Sequence, residues 1–262
     1  MPTTKNSSIQ TYYEVHGEGE ALVFIHGLGS SSGDWQFQTA FFPEYFKTIV
    51  YDVRGHGQSE KAKGPYSVPL FAKDLAELLN ELGIEKAHIV GLSMGGWIAF
   101  QFGVAYPEMT ASLTIVNSWA DMRLKTLQDW KGYIQRAIIF RLFSMRKIGE
   151  VLGAKLFIKP EQKGLLNDFV ESWAKNYKPS YMASFHAGVG WSVADQLGKI
   201  TAPVLVVAAD EDYTPVSTKE AYVSKLPNAR LAVIEDSRHA TPVERPNEFN
   251  QVLLAFLRDI EN

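Results

Sequence analysis

The stretch "IVGLSMGGWIAF", residues 89–100, sets one serine between glycines two places before and two places after it. Ile89 and Val90 on one side, and Trp97, Ile98 and Phe100 on the other, read as a buried strand running into a buried helix. Gly91, Gly95 and Gly96 weaken either element, so their presence at the junction needs a reason. A strand ending at Leu92 and a helix starting near Gly95 leave Ser93 on a tight corner. Such a corner strains the serine backbone and brings residues two places away into collision unless they are small. Glycines at 91 and 95 relieve that collision, and the corner lifts the hydroxyl clear of the sheet at the positive end of a helix dipole. The alternative is a packing turn in which Ser93 only caps the helix. The strand–turn–helix setting favours a nucleophile.

Outward from this corner the chain alternates strands and helices. "ALVFIHG" (21–27), "TIVYD" (48–52), "AHIVGLS" (87–93), "SLTIVNS" (112–118), "PVLVVAAD" (203–210) and "ARLAVIED" (229–236) are Val- and Ile-rich, and most are continuous rather than alternating. That pattern suits strands covered on both faces of a parallel sheet. In "VPLFAKDLAELLNELGI" Phe71, Leu75, Leu78, Leu79 and Leu82 recur at steps of three and four, predicting a helix that stops at Gly83. The rhythm fails after Asn117 and resumes at "ITAPVLVVAAD". Residues 119–198 are therefore expected to form a helical cap, with 1–118 and 199–262 as the core domain. Charge marks the same span: it holds 12 Lys+Arg against 7 Asp+Glu, while the rest holds 14 against 22.

The 262 residues contain no cysteine, which excludes disulfides, thiolate nucleophiles and cysteine metal sites. The start "MPTTKNSSIQTYYEV" lacks the apolar run of a signal peptide, and no run of about 20 apolar residues follows. A cytoplasmic protein with no membrane partner is expected. No basic stripe with interleaved aromatics suggests nucleic acid, and no HExxH, carboxylate–histidine cluster or phosphate loop implies a metal or cofactor.

A serine hydroxyl needs a base to take its proton and an acid to orient that base. Of six histidines, His26 and His56 sit in glycine-rich turns suited to shaping loops. His16 is in an early polar segment, His88 begins a strand, and His186 lies in the cap. His239, in "EDSRHATPVERP", follows the last strand and precedes the last helix, where a loop can carry it over the strand ends. The acid is sought in "VLVVAADEDYTPV": Asp212 out in the loop is preferred, with Asp210 second and Glu211 possible. Ser93, Asp212 and His239 then follow the chain order of a triad carried on the loops of a doubly wound sheet. The attacked carbonyl becomes an oxyanion, for which the backbone N–H groups of Leu28 and Met94 are the expected donors. Losing one such donor typically costs about 3–4 kcal/mol of barrier.

With "HGLG" (26–29), "DVRGHGQS" (52–59), "GLSMGG" (91–96), "DEDYTP" (210–215) and "RHATPVERP" (238–246) in this order, the chain resembles the α/β-hydrolase superfamily over nearly its whole length. The resemblance implies an eight-stranded, mostly parallel sheet, a cap inserted after the sixth strand, and Asp212 rather than Asp210 as the acid. Within the superfamily, "GLSMGG" is similar to small carboxylesterases and 3-oxoadipate enol-lactonases. A serine in place of an aspartate argues against halide displacement and epoxide opening.

The expected activity is therefore hydrolysis of a small carboxylic ester or lactone through an acyl-enzyme, without a cofactor. Carbon–carbon bond hydrolysis, perhydrolysis and a slow-turnover ligand receptor are alternatives using the same triad, and no acidic cluster marks a peptidase. Substrate contacts are expected from Trp119, Arg123 and Trp191 in the cap and from Trp35 after the oxyanion loop, with Phe37, Phe41 and Lys125 as further possibilities. The sequence leaves monomer and homodimer both open.

Overall fold

The computed structural model describes residues 3–5 and 9–261. Its strands are β1 (Thr3–Lys5), β2 (Gln10–His16), β3 (Ala21–Ile25), β4 (Lys47–Tyr51), β5 (Ala87–Leu92), β6 (Thr110–Val116), β7 (Val204–Ala209) and β8 (Ala229–Ile234). They form one eight-stranded sheet in the order β1-β2-β4-β3-β5-β6-β7-β8. The first two strands pair antiparallel and the other six run parallel. All six parallel strands coincide with the apolar runs of the sequence. The β1–β2 edge does not appear among those runs, because "QTYYEVH" alternates and is only partly buried.

Side-chain alternation along each strand feeds two cores. In β3, Val23 and Ile25 join one cluster while Leu22 and Phe24 join the other. The first lies beneath α2 (Val68–Glu81) and α3 (Met94–Ala105); the second lies beneath α10 (Pro246–Glu261), close to α1 (Gln36–Phe41). Helix α2 begins at Ser67, whose hydroxyl accepts from the Leu70 N–H at 3.2 Å. It buries Phe71, Leu75, Leu78 and Leu79, and the chain leaves it through Gly83 at φ +67°.

From β3 the sheet steps to β4 on one side and to β5 on the other. The loops after β3 and β5 therefore diverge, opening a crevice beyond their carboxyl ends where such sheets hold ligands. Between β6 and β7 run α4 (Leu127–Leu142), α5 (Met145–Leu156), α6 (Lys163–Ala174) and α7 (Lys178–Gly188). Phe140, Met145, Ile148, Trp173 and Tyr181 give these helices a small core of their own. The two ends of the 119–198 span meet at an isolated bridge between Asp121 and Ser192. The Met122 N–H donates to the Trp191 carbonyl at 2.8 Å, and the Val193 N–H donates to the Ala120 carbonyl at 2.9 Å. Trp191, Val193 and Leu197 belong to the sheet's first core. The chain then continues through β7, α8 (Val216–Val223), β8 and the short α9 (Thr241–Glu244). Among the described residues no helix is long and apolar enough to cross a membrane.

Candidate active site

Ser93 has φ 55° and ψ −113°, a conformation a β-carbon disfavours. Its neighbours show why it is held there. A Cβ on Gly91 would lie 2.2 Å from the Gly95 carbonyl oxygen, and one on Gly95 would lie 2.2 Å from that of Ile25. Only glycine lets α3 approach β5 and β3 so closely. The Ser93 N–H donates to the Val116 carbonyl at 3.0 Å, and the Ser118 hydroxyl donates to the Ser93 carbonyl at 2.6 Å. Ser93 is partly open while Gly91, Leu92 and residues 94–100 are buried.

The loop after β3 is fastened from below. Buried His26 accepts the Val53 N–H on Nε2 at 2.9 Å, and its Nδ1 lies 2.8 Å from the Gly27 carbonyl, so the ring is neutral with the proton on Nδ1. Burial pushes the His26 imidazole below its usual range. His56 packs edge-on against it and, chiefly through burial and secondarily through His26, is lowered to about 3. Asp52 ties the same loops together, accepting from the Ser32 N–H at 2.7 Å and the Gln58 N–H at 2.6 Å. Among the described residues the N–H groups of Leu28 and Met94 have no hydrogen-bond acceptor. Trp173 of the cap packs on Gly29, and the Asn176 amide donates to the Gly29 carbonyl at 2.6 Å.

His239 and Asp212 meet across two loops, with Nδ1 2.9 Å from Oδ1. Burial raises the Asp212 carboxyl, but hydrogen bonds from His239, Lys219 and Thr214 outweigh it and hold the group at about 2. As an ionised carboxylate it can only accept, so the imidazole proton sits on Nδ1 and Nε2 is left as an acceptor. The Asp210 side chain points elsewhere, accepting from the Ser237 N–H at 3.2 Å. The Tyr213 hydroxyl donates to the free Nε2 at 2.7 Å.

Three supporting residues were not singled out in the sequence. Lys219, seven positions after Asp212 on α8, is fully buried with Nζ 2.8 Å from Asp212 Oδ2. Asn117 follows β6 at φ 45°, a position asparagine tolerates better than most residues. Its amide nitrogen reaches the carbonyls of Arg238 and His239 at 3.1 and 3.0 Å, and its oxygen accepts the Ala209 N–H at 2.8 Å. One side chain therefore ties the histidine loop to the end of β7. The third is Tyr213 itself. An asparagine closing a strand run and a lysine one helical turn into α8 were the available signals, and neither is distinctive without the fold.

Leu28, Ser93, Tyr213 and His239 line one cavity of about 1470 Å3 between sheet and cap. Trp119 lines it, edge-on against Trp97. Arg123 lines it too, but its guanidinium is held by Asp121 at 2.8 Å and Asp195 at 3.1 Å. Two expected contacts are corrected. Trp35 is fully buried in the second core, 4.8 Å from Phe24 between ring centroids, and takes no part in the wall. The loop's turn carries it onto Phe24 of the central strand β3, and Phe41 packs against the same core. Trp191 packs on Trp97 in the first core, its indole N–H donating to Gln101 at 2.9 Å, and it too is absent from the wall. Phe37 and Lys125 also lie outside the wall.

The family model described as the alpha/beta hydrolase fold matches residues 20–246. This chain belongs to the alpha/beta hydrolase family. It is 30% identical to 3-oxoadipate enol-lactonase 2 of Acinetobacter baylyi, over 94% of this chain and 92% of that one. A protein of Azorhizobium caulinodans with the provisional name carbamate hydrolase RutD is 28% identical over the full length of both chains. The crystal structure of the enol-lactonase from Burkholderia xenovorans LB400 superposes with a TM-score of 0.90, covering 98% of this chain and 100% of that one at 23% identity.

Proposed function

We propose that this ester-bond hydrolase uses Ser93 as nucleophile, His239 as general base and Asp212 as the acid that orients it, and that it cleaves a carboxylic ester or lactone. The observation that carries the reading is the strained corner at Ser93, opening into the same cavity as the Asp212–His239 pair. His239 Nε2 takes the Ser93 proton as Oγ attacks the carbonyl carbon. The oxyanion is received by the N–H groups of Leu28 and Met94. Collapse expels the alkoxide or ring oxygen, protonated by His239; water, activated by the same imidazole, then releases the acid. In the free protein the Tyr213 hydroxyl occupies His239 Nε2, and an arriving substrate displaces it. Kinship with an enol-lactonase supports a lactone or ester carbonyl as the target.

Ser93→Ala should reduce turnover of p-nitrophenyl acetate and of simple lactones by about 10^4-fold or more while the melting temperature stays close to wild type. Undiminished turnover would reject the nucleophile.

A further inference from the structure

Helix α4 carries apolar residues on two opposite sides. At about 100° per residue, Gly132, Tyr133, Arg136, Ile139 and Phe140 fall on the side that lines the cavity. Leu127, Trp130, Ile134, Ile138 and Leu142, at steps of three, four, four and four, fall within the opposite sector of roughly 120°. Their exposures are 90, 49, 50, 52 and 72%. A row of five large apolar side chains left in water is uncommon on a soluble monomer and marks a surface that something covers.

Charge identifies what covers it. Lys131 and Arg141 lie in the same outer sector and form no ion pair among the described residues. The one acidic residue of α4, Asp129, is spent on the capping box with Thr126. Across 119–198, 12 basic residues stand against 7 acidic, while the rest of the chain has 14 against 22. The cap is thus net positive, and two of its cations stand beside the exposed hydrocarbon. A second copy docked face to face would set two positive surfaces together, whereas an anionic bilayer matches both the charge and the apolar row. Sixteen residues span about 24 Å, short of the roughly 30 Å hydrocarbon core, so α4 lies in the interface rather than across it.

We infer that α4 seats this protein on an anionic lipid surface. The expectation of no membrane partner rested on the lack of a spanning segment, which interfacial docking does not require. One consequence rests on the serine-hydrolase reading above. The inner face of the docked helix roofs a cavity larger than the roughly 300–1,000 Å3 of ordinary ligand sites, so the substrate is an amphiphilic ester or lactone whose apolar tail leaves the bilayer past α4.

Co-sedimentation with phosphatidylcholine vesicles, with and without phosphatidylglycerol, tests the docking. The full chain should pellet with the phosphatidylglycerol vesicles, less so as sodium chloride rises, and stay in solution with phosphatidylcholine alone. The double variant Ile134→Gln/Ile138→Gln should lose about tenfold or more in vesicle affinity, while hydrolysis of p-nitrophenyl acetate without vesicles is unchanged. Ser93→Ala should bind vesicles like wild type, so failure of the nucleophile assignment leaves the docking standing. No binding to the anionic vesicles, or equal binding by the double variant, would overturn the inference. So would sedimentation velocity showing a dimer that the double variant dissolves.

Discussion

At the sheet rim, Ser93, Asn117 and Asp212 are each held by contacts that few other residues could make. Ser93 rests on glycines whose replacement would drive a Cβ to 2.2 Å from a carbonyl oxygen, and Asp212 is fixed by His239 and buried Lys219. In the cap, by contrast, α4 buries Phe140 alone among its sixteen residues and leaves an apolar row in solvent. The rim is over-determined and α4 loosely held. On the proposed mechanism the difference separates two jobs: the rim would set the chemistry, and the cap would set which molecules reach it. Substitutions at the rim should therefore change rate, and substitutions in the cap should change selectivity.

The largest effect should come from the acid. Asp212→Asn should lower kcat by about 10^4-fold, because the amide can no longer hold the Nδ1–H tautomer, while Asp210→Asn stays within a few-fold, as steady-state kinetics on p-nitrophenyl acetate would show. The reverse ranking would move the role to Asp210. Next is Tyr213→Phe, which removes the hydroxyl from Nε2. If substrate must displace that bond, kcat/KM should rise by up to about tenfold, one net hydrogen bond. A fall in kcat would make the phenol part of the proton path. In the cap, Ile139→Ala should shift the preference among p-nitrophenyl esters of different acyl length by several-fold with little change on the acetate, since one side chain of a pocket is worth about 1–3 kcal/mol. Equal losses on every ester would break the division between rim and cap.

The smallest effect concerns pH. Asp34, on the cavity wall, is raised to about 6 by burial, with the Asp52 charge adding to the rise and the Ser30 hydroxyl opposing it. A carboxyl that holds its proton more tightly folded than unfolded stabilises the fold below its unfolded value near 4 and loses that contribution as pH climbs through 6. Thermal melts should therefore show wild type losing stability between pH 4 and pH 7 relative to Asp34→Asn; parallel curves would place the carboxyl in water.

Much of the sheet was readable because buried parallel strands are written as continuous Val and Ile runs, and α2 because its leucines repeat at helical spacing. The β1–β2 edge was not, since an alternating, half-covered strand leaves no such run. The glycines around Ser93 announced the corner through local sterics. Trp35 and Trp191 were misplaced because an aromatic's position along the chain does not say which side of a layer it packs on. Asn117, Lys219 and Tyr213 act through contacts over 92, 7 and 26 residues of sequence. Only the folded loops bring those partners together.

The most direct test of the central claim is covalent capture. After incubation with a fluorophosphonate, intact-mass and peptide mass spectrometry should find one adduct, on the peptide holding Ser93, with activity lost in proportion and no adduct on Ser93→Ala. An adduct on another residue that tracks the loss of activity, or full inactivation with residue 93 unmodified, would contradict the account.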